Sequence, residues 1–252
     1  MRKKQIINSF ITIENYQGFL FLINSISKHK SSYIVITNVH MVIEAYLDKK
    51  FQKVVNNADI ATPDGAPIAK AIKYIYGIDQ DRVAGMDLMP DLIKYCGESC
   101  KKIFLYGSTN DILEKIKSKA KKAYPCLQIK SYSPPFRELN EDEKKEVIKM
   151  INDYHPDFVF VALGCPKQEK WMAEHKDKIN SCMIGLGGAF EVYAEVKTRA
   201  PEWMQRHSLE WLYRLLQDPK RLWKRYLVTN TLFLILICYQ FTKEKILKVN
   251  VK

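Results

Sequence analysis

The sequence predicts an α/β protein: a mostly parallel sheet covered by helices on both faces, with a helical C-terminal appendage. Three observations carry this. Strand-length apolar runs alternate with longer segments of helical period. The run Asp157-Phe-Val-Phe-Val-Ala-Leu163 is almost wholly apolar, as a central parallel strand buried on two faces should be. Beyond Arg199-Ala200-Pro201 the alternation stops, and cations set among aromatic residues take its place.

Strands are expected at 33–37, 59–62, 102–106, 127–132, 157–163 and 182–186, and helices near 40–57, 66–76, 87–96, 109–123, 141–154 and 167–178. Their alternation implies right-handed crossovers. Asp87 is placed to cap the third helix, and Asn140 to cap the fifth with acids in its first turn. Pro134-Pro135 marks a loop. With no internal repeat or low-complexity linker, the economical division is one α/β domain, 1–195, and one appendage, 196–252. Pro201 suits a helix start, and Trp203, Leu209, Trp211, Leu212, Leu215 and Leu216 give that helix an apolar face until Asp218-Pro219 breaks it. Residues 227–241 are strongly apolar. Fifteen residues reach only about 22 Å as a helix, short of a hydrocarbon core of about 30 Å. An in-plane or half-buried membrane anchor is expected rather than a span.

The chain has 252 residues, 47% of them apolar, and a net charge of +12. Residues 196–252 hold twelve cations against four acids, so two thirds of the excess lies in the last quarter. A concentrated basic tail calls for an anionic partner: nucleic acid, diphosphate groups or a lipid surface. The six cysteines lack both C-x-x-C spacing and the density of a secreted scaffold, and read as reduced thiols in a cytosolic protein. Cys96 and Cys100, four apart, read as core packing. The N-terminus has the charge of an export signal, but Asn8, Ser9 and Thr12 interrupt its apolar run. Asp79-Gln80-Asp81 has a D-x-D form and reads as a solvated turn rather than a cation site.

The organising stretch is Ala58-Asp-Ile-Ala-Thr-Pro-Asp-Gly65. Pro63 should stop ladder pairing and Gly65 open a helix, which leaves Asp64 at a strand-to-helix corner. Corners at the carboxyl ends of parallel strands are where α/β proteins bind ligands. Asp64 is either a cap for that helix or a functional carboxylate. Two further strands end in similar corners, Thr37-Asn38-Val39-His40 and Gly164-Cys-Pro-Lys-Gln-Glu169. Gly85, Gly107, Gly164, Gly187 and Gly188 lie where backbone N–H groups could approach phosphate. Residues 185–190 half match a dinucleotide fingerprint, but the terminal Phe190 and the late position fit a dehydrogenase poorly.

These motifs, with Arg82-Val-Ala-Gly85, Leu105-Tyr-Gly107, Gly164 to Trp171, Gly185 to Phe190, Arg199-Ala-Pro-Glu-Trp203 and Glu210-Trp-Leu-Tyr-Arg214, resemble the WecG/TagA/CpsF glycosyltransferases in the same order from about Ile34 to Tyr226. The resemblance implies a Rossmann-like, GT-E-like α/β domain whose appendage docks on the cytoplasmic face of the membrane and brings arginines to the active site. It implies an inverting, metal-independent enzyme without cofactor. Its reaction would move an N-acetylmannosamine-type sugar from a UDP-sugar to a polyprenyl-diphosphate-linked saccharide in wall or surface polysaccharide synthesis. By motif, Asp64 is the general base, and Thr37 and Gln168 contact substrate. Arg214, Arg221 and Arg225 bind diphosphate; Asn38, Arg82, Gly107, Gly164, Lys167, Glu169, Gly187 and Gly188 complete the substrate set. Two positions depart from the family pattern. Glu191 replaces the aspartate of G-G-A-F-D-F, and Glu195 stands where a glycine precedes R-A-P.

Two other functions compete. A nucleic-acid-binding protein would place its basic stripe over the α/β body, whereas here the charge sits in the tail. A non-catalytic membrane adaptor would leave the corner motifs unexplained. Oligomeric state, including a homo-oligomer, stays open.

Overall fold

A computed structural model describes residues 1–27 and 31–249, with the side chains of 245–249 left undescribed; the last three residues of the 196–252 appendage lie outside it. In chain order the elements are β1 (Lys3–Ile6), β2 (Ser9–Thr12), α1 (Tyr16–Ile26), β3 (Ser32–Thr37), α2 (Val39–Leu47), α3 (Lys49–Asn56), β4 (Ile60–Pro63), α4 (Ala66–Tyr76), α5 (Gly85–Glu98) and β5 (Lys102–Gly107). There follow α6 (Asn110–Ala123), β6 (Gln128–Tyr132), α7 (Glu141–Tyr154), β7 (Phe158–Ala162), α8 (Lys167–His175), β8 (Cys182–Gly185), α9 (Ala189–Tyr193), α10 (Glu202–Arg206), α11 (Glu210–Gln217) and α12 (Pro219–Val249).

Strands β3 to β8 form a six-stranded sheet in the order β4-β3-β8-β7-β5-β6, every pair parallel. Because side chains alternate across a strand, each central strand feeds two cores. Ile34, Ile103, Leu105, Phe158, Phe160 and Ile184 pack with α1, α5, α6 and α9 on one face. Tyr33, Val35, Phe104, Val159, Val161 and Met183 meet α2, α3, α7 and α8 on the other. This is the α/β sheet the apolar runs predict, and all six expected strands are present.

Several expectations need correction. Residues 40–57 make two helices rather than one, because the extended Asp48 ends α2 and its carboxylate caps α3 through the Lys50 and Phe51 N–H groups. Helix α5 begins two residues early. Its N-cap is Ala84, and Asp87 lies in the first turn, where its carboxylate is taken by arginines. The expected helix beyond Pro201 divides into α10 and α11, separated at Ser208 by a left-handed φ of 65°. Pro63 does not stop the pairing, since it is the last residue of β4 and opposes Thr37. Cys100 lies beyond α5 at a φ of 49° and is joined to Cys126 in a disulfide with Cα atoms 5.0 Å apart, so these two are not reduced thiols. Cys96 is core, as expected. The hairpin β1-β2 and helix α1 were not anticipated.

Residues 227–241 belong to the long helix α12, which lies along α2 and α4. Phe233 is buried with Val42, Ile43, Ile68, Ile72 and the hairpin's Ile6 and Ile11. Gln240 ties this helix to the hairpin, accepting from the Ile7 N–H at 2.7 Å and donating to the Gln5 carbonyl at 2.9 Å. The opposite stripe, Leu227, Val228, Leu234, Ile235 and Tyr239, is exposed. Spacings of seven (227 to 234, 228 to 235) and four (235 to 239) place these residues on one face, so α12 is apolar on two sides. Among the described residues no helix is long and apolar enough to cross a membrane.

Replacing Phe233 by Ala removes the side chain that seats α12. Denaturant unfolding is expected to report a loss of about 3–5 kcal/mol. Limited proteolysis is expected to cut 219–249 before the α/β core.

Candidate active site

The site begins with the pairing of β4 on β3. Beyond Pro63 the Asp64 N–H donates to the Thr37 carbonyl at 2.8 Å, and the Pro63 carbonyl accepts from Val83 at 2.9 Å. Gly65 then turns the chain into α4 at a φ of 88°, where a side chain would be strained, with Pro67 in the first turn. No side chain caps α4, so Asp64 does not serve as its cap. Its carboxylate instead accepts a hydrogen bond from the side chain of Asn38. The Asn38 carbonyl oxygen accepts from the Met41 N–H at 3.1 Å and caps α2, which leaves its amide for Asp64.

Burial pushes the Asp64 carboxyl above the usual range. Arg214 opposes this, Glu210 reinforces it, and Arg82 and Asn38 again favour the charged form. The outcome is a raised carboxyl with guanidinium groups beside it, suited to accepting a proton. Two of these neighbours, Glu210 and Arg214, come from α11, so the C-terminal segment completes the environment of a residue on the sheet.

The same groups form a closed ring of charges. Glu210 Oε2 meets Arg82 Nη1 at 2.6 Å, and Arg82 Nη2 meets Asp87 Oδ2 at 3.1 Å. Asp87 Oδ1 meets Arg199 Nη1 at 2.6 Å, and Arg199 Nε returns to Glu210 Oε1 at 3.8 Å. Arg214 Nη2 stands 3.7 Å from the same Glu210 oxygen. Beside the ring opens a small cleft of about 100 Å³, lined by five cations (Lys197, Arg199, Arg214, Arg221 and Arg225) and three acids (Glu191, Glu210 and Asp218), together with Gly188 and Tyr226. The Nε atoms of Arg199, Arg214 and Arg225, and Arg199 Nη2, are buried without hydrogen-bond partners. Donors in that condition are costly unless an anion receives them.

The remaining expected residues separate into groups. Thr37 is fully buried beside Asp64, and its hydroxyl has no hydrogen-bond partner. Gln168 and Glu169 face inward. The Gln168 amide donates to Glu169 Oε1 at 2.7 Å, accepts from the Gly164 N–H at 3.2 Å, and lies against Gly185 and Gly187, where a Cβ would meet it at 2.9 and 3.2 Å. Glu169 is wholly buried, which pushes its carboxyl up. As placed, Gln168 and Glu169 brace the glycine turn and do not reach the cleft. Gly107 and Lys167 sit at the β5 and β7 corners, outside the cleft's lining. Asp79 pairs with Lys73, and Asp81 accepts from the Tyr16 N–H, so both D-x-D acids have structural partners.

Sequence reasoning missed Glu210, Asp87 and Arg199 as site residues, although Arg199 and Glu210 lie inside quoted motifs. It also missed His40. Burial and the nearby Arg225 push this imidazole down to about 4, and Glu44 stands 3.7 Å from its Nδ1. Glu191 pairs with Lys197 at 2.7 Å on the cleft wall. Glu195, at a position where the family pattern has glycine, adopts a left-handed φ of 58°.

A parallel α/β rim that sets one carboxylate near an arginine-lined cleft suits an enzyme that handles anionic groups. The model of the glycosyl transferase WecG/TagA/CpsF family matches residues 5–246, and the chain belongs to that family. It is a glycosyltransferase. It is 35% identical over 195 residues, 77% of this chain and 74% of the relative, to an N-acetylglucosaminyldiphosphoundecaprenol N-acetyl-beta-D-mannosaminyltransferase of Bacillus subtilis strain 168. Proteins of the same name from Bacillus spizizenii and Staphylococcus aureus strain MW2 are 32% and 33% identical, over 80% and 75% of this chain and 77% and 74% of their own lengths.

His40 gives a pH test of the site's packing. The unfolded chain takes up a proton near pH 6.5 and the folded chain only near 4, so stability falls as pH drops through that window. Relative to a His40→Gln variant, the natural chain is expected to lose up to about 3 kcal/mol between pH 7 and pH 4, read from urea midpoints.

Proposed function

We propose that the protein transfers an N-acetylmannosamine-type sugar from a UDP-sugar to a polyprenyl-diphosphate-linked saccharide, with inversion, at the inner face of the cell membrane. The observation that carries this reading is the Asp64 carboxylate, held by Asn38 at the sheet rim and flanked by Arg82 and Arg214 next to the cationic cleft. The relatives' printed names supply the chemical class: a lipid-diphosphate N-acetylglucosamine acceptor and a β-mannosaminyl product.

In the proposed reaction an acceptor hydroxyl attacks the anomeric carbon of the donor from the face opposite the nucleotide. Asp64 takes the hydroxyl proton as the new C–O bond forms. The bond from the anomeric carbon to the diphosphate oxygen breaks, and its electron pair leaves with UDP. An α-linked donor would thereby give the β-linked product in a single displacement. Arg214, Arg221 and Arg225 receive the charge that develops on the departing diphosphate, the role a divalent cation fills elsewhere, so the proposed reaction is metal-independent. The unpartnered Nε–H groups of Arg214 and Arg225 support this role, while Arg221 is paired with Asp218.

We read 1–195 as the catalytic body and 196–252 as the appendage that completes it. The exposed stripe Leu227, Val228, Leu234, Ile235 and Tyr239 fits the acyl boundary of a bilayer. Trp223, Lys220 and Lys224, also exposed, fit the headgroup level. That orientation would bring the cleft toward a lipid-linked acceptor.

Asp64→Asn keeps the hydrogen bond to Asn38 within reach but cannot take the proton. Turnover, followed as UDP release from UDP-N-acetylmannosamine with a short-chain lipid-diphosphate acceptor, is expected to fall by about 10²- to 10⁴-fold, with UDP binding nearly unchanged. Comparable turnover in the variant would refute the base assignment.

A further inference from the structure

The charge ring joins parts of the chain that the proposed reaction does not use directly. Arg82 lies between α4 and α5, Asp87 in the first turn of α5, Arg199 in the segment before α10, and Glu210 at the start of α11. Glu210 closes it. Its side chain is 13% exposed, one oxygen is bound to Arg82 at 2.6 Å, and the other stands between Arg199 and Arg214 at 3.8 and 3.7 Å. Glu210 and Arg214 are one helical turn apart, so the contact that fixes Glu210 on Arg82 also fixes where Arg214 enters the site.

We propose that Glu210 is a positioning residue for the transfer: it latches α11 onto Arg82 and so sets the arrangement of Arg82 and Arg214 around Asp64. The inference rests on the reading of Asp64 as the general base. Glu210 touches neither the acceptor hydroxyl nor the diphosphate in this scheme. It acts through its neighbours.

The charged and titratable groups that act on Asp64, with the amide of Asn38 at the start of α2, are Arg82 from the α4–α5 connection, Glu210 and Arg214 from α11, and Tyr226 from α12. Removing the Glu210 charge removes a nearby anion that favours the protonated form. Opening the ring also lets water reach the corner, which favours the ionised form. Both effects lower the Asp64 midpoint, and displacement of Arg214, which favours the ionised form, opposes them.

The test uses the full chain labelled with ¹³C in the aspartate carboxyl groups, with Asp64→Asn to assign the Asp64 resonance. Glu210→Gln preserves size and an acceptor oxygen for Arg82. It is expected to lower the Asp64 titration midpoint and to reduce kcat by about tenfold or more while changing the KM for the UDP-sugar much less. The acid limb of the pH–kcat profile should move to lower pH with it. Because loss of the nearby charge alone lowers the midpoint, the deciding variant is Glu210→Asp, which keeps the charge and shortens the reach to Arg82: a fall in kcat of about tenfold with the KM for the UDP-sugar little changed supports the latch, and an unchanged kcat overturns the proposal. Should that variant not fold, Arg82→Lys weakens the same latch from the other side, and an unchanged kcat there overturns the proposal equally. An Asp64→Asn enzyme of full activity would instead remove the base assignment, which the carboxyl titration does not depend on.

Discussion

The site depends on the parallel pairing of β4 with β3 continuing one bond past the end of the strand. The Asp64 N–H on the Thr37 carbonyl places two corners side by side: one carries the carboxylate, the other carries Asn38, which holds it. Proline at 63 gives up a donor and no acceptor. Its carbonyl therefore still anchors Val83, one residue from Arg82. Three backbone segments are thus registered by backbone hydrogen bonds before any side-chain chemistry is added. A one-residue slip of β4 would turn its side chains to the wrong faces and carry the carboxylate away from Asn38.

Electrostatics then closes the site. Three arginines and two acids meet where the C-terminal segment lies on the sheet's rim, in a region that is only partly exposed. Partly buried ions hold position only when well paired, and here each acid is shared between arginines. The surplus of positive charge is left facing the cleft, with several N–H groups unpaired. Five of the chain's forty Lys and Arg residues line this one mouth, against three acids.

How much of this could be read beforehand follows from the range of the interactions. The six sheet strands were legible because burial on both faces leaves continuous apolar runs, and α4 and α7 because Gly65 with Pro67 and the Asn140–Glu143 capping box mark their starts. Asp48 was hidden inside a run of helical period, since its capping role depends on an extended backbone that composition does not reveal. The hairpin was passed over because the cationic Met1-Arg-Lys-Lys prefix dominated the reading of that stretch. At the site, Asp64, Asn38 and the arginines could be named from motifs. Glu210 and Asp87 could not, because an acid whose partners lie 128 and 112 residues away looks like any solvated helix charge. Gln168 and Glu169 could be named from their motif, but not their contacts with each other and with the glycine turn beneath the corner.

The hairpin and α12 cover the same face of α2 and α4, and Gln240 joins them across nearly the whole length of the polypeptide. The hairpin thus cannot finish its packing until Gln240, 233 residues beyond Ile7, has been made. Until α12 docks, the aliphatic flank formed by Val42, Ile43, Ile68 and Ile72 lacks its second cover, and that cooperative unit waits on the later segment.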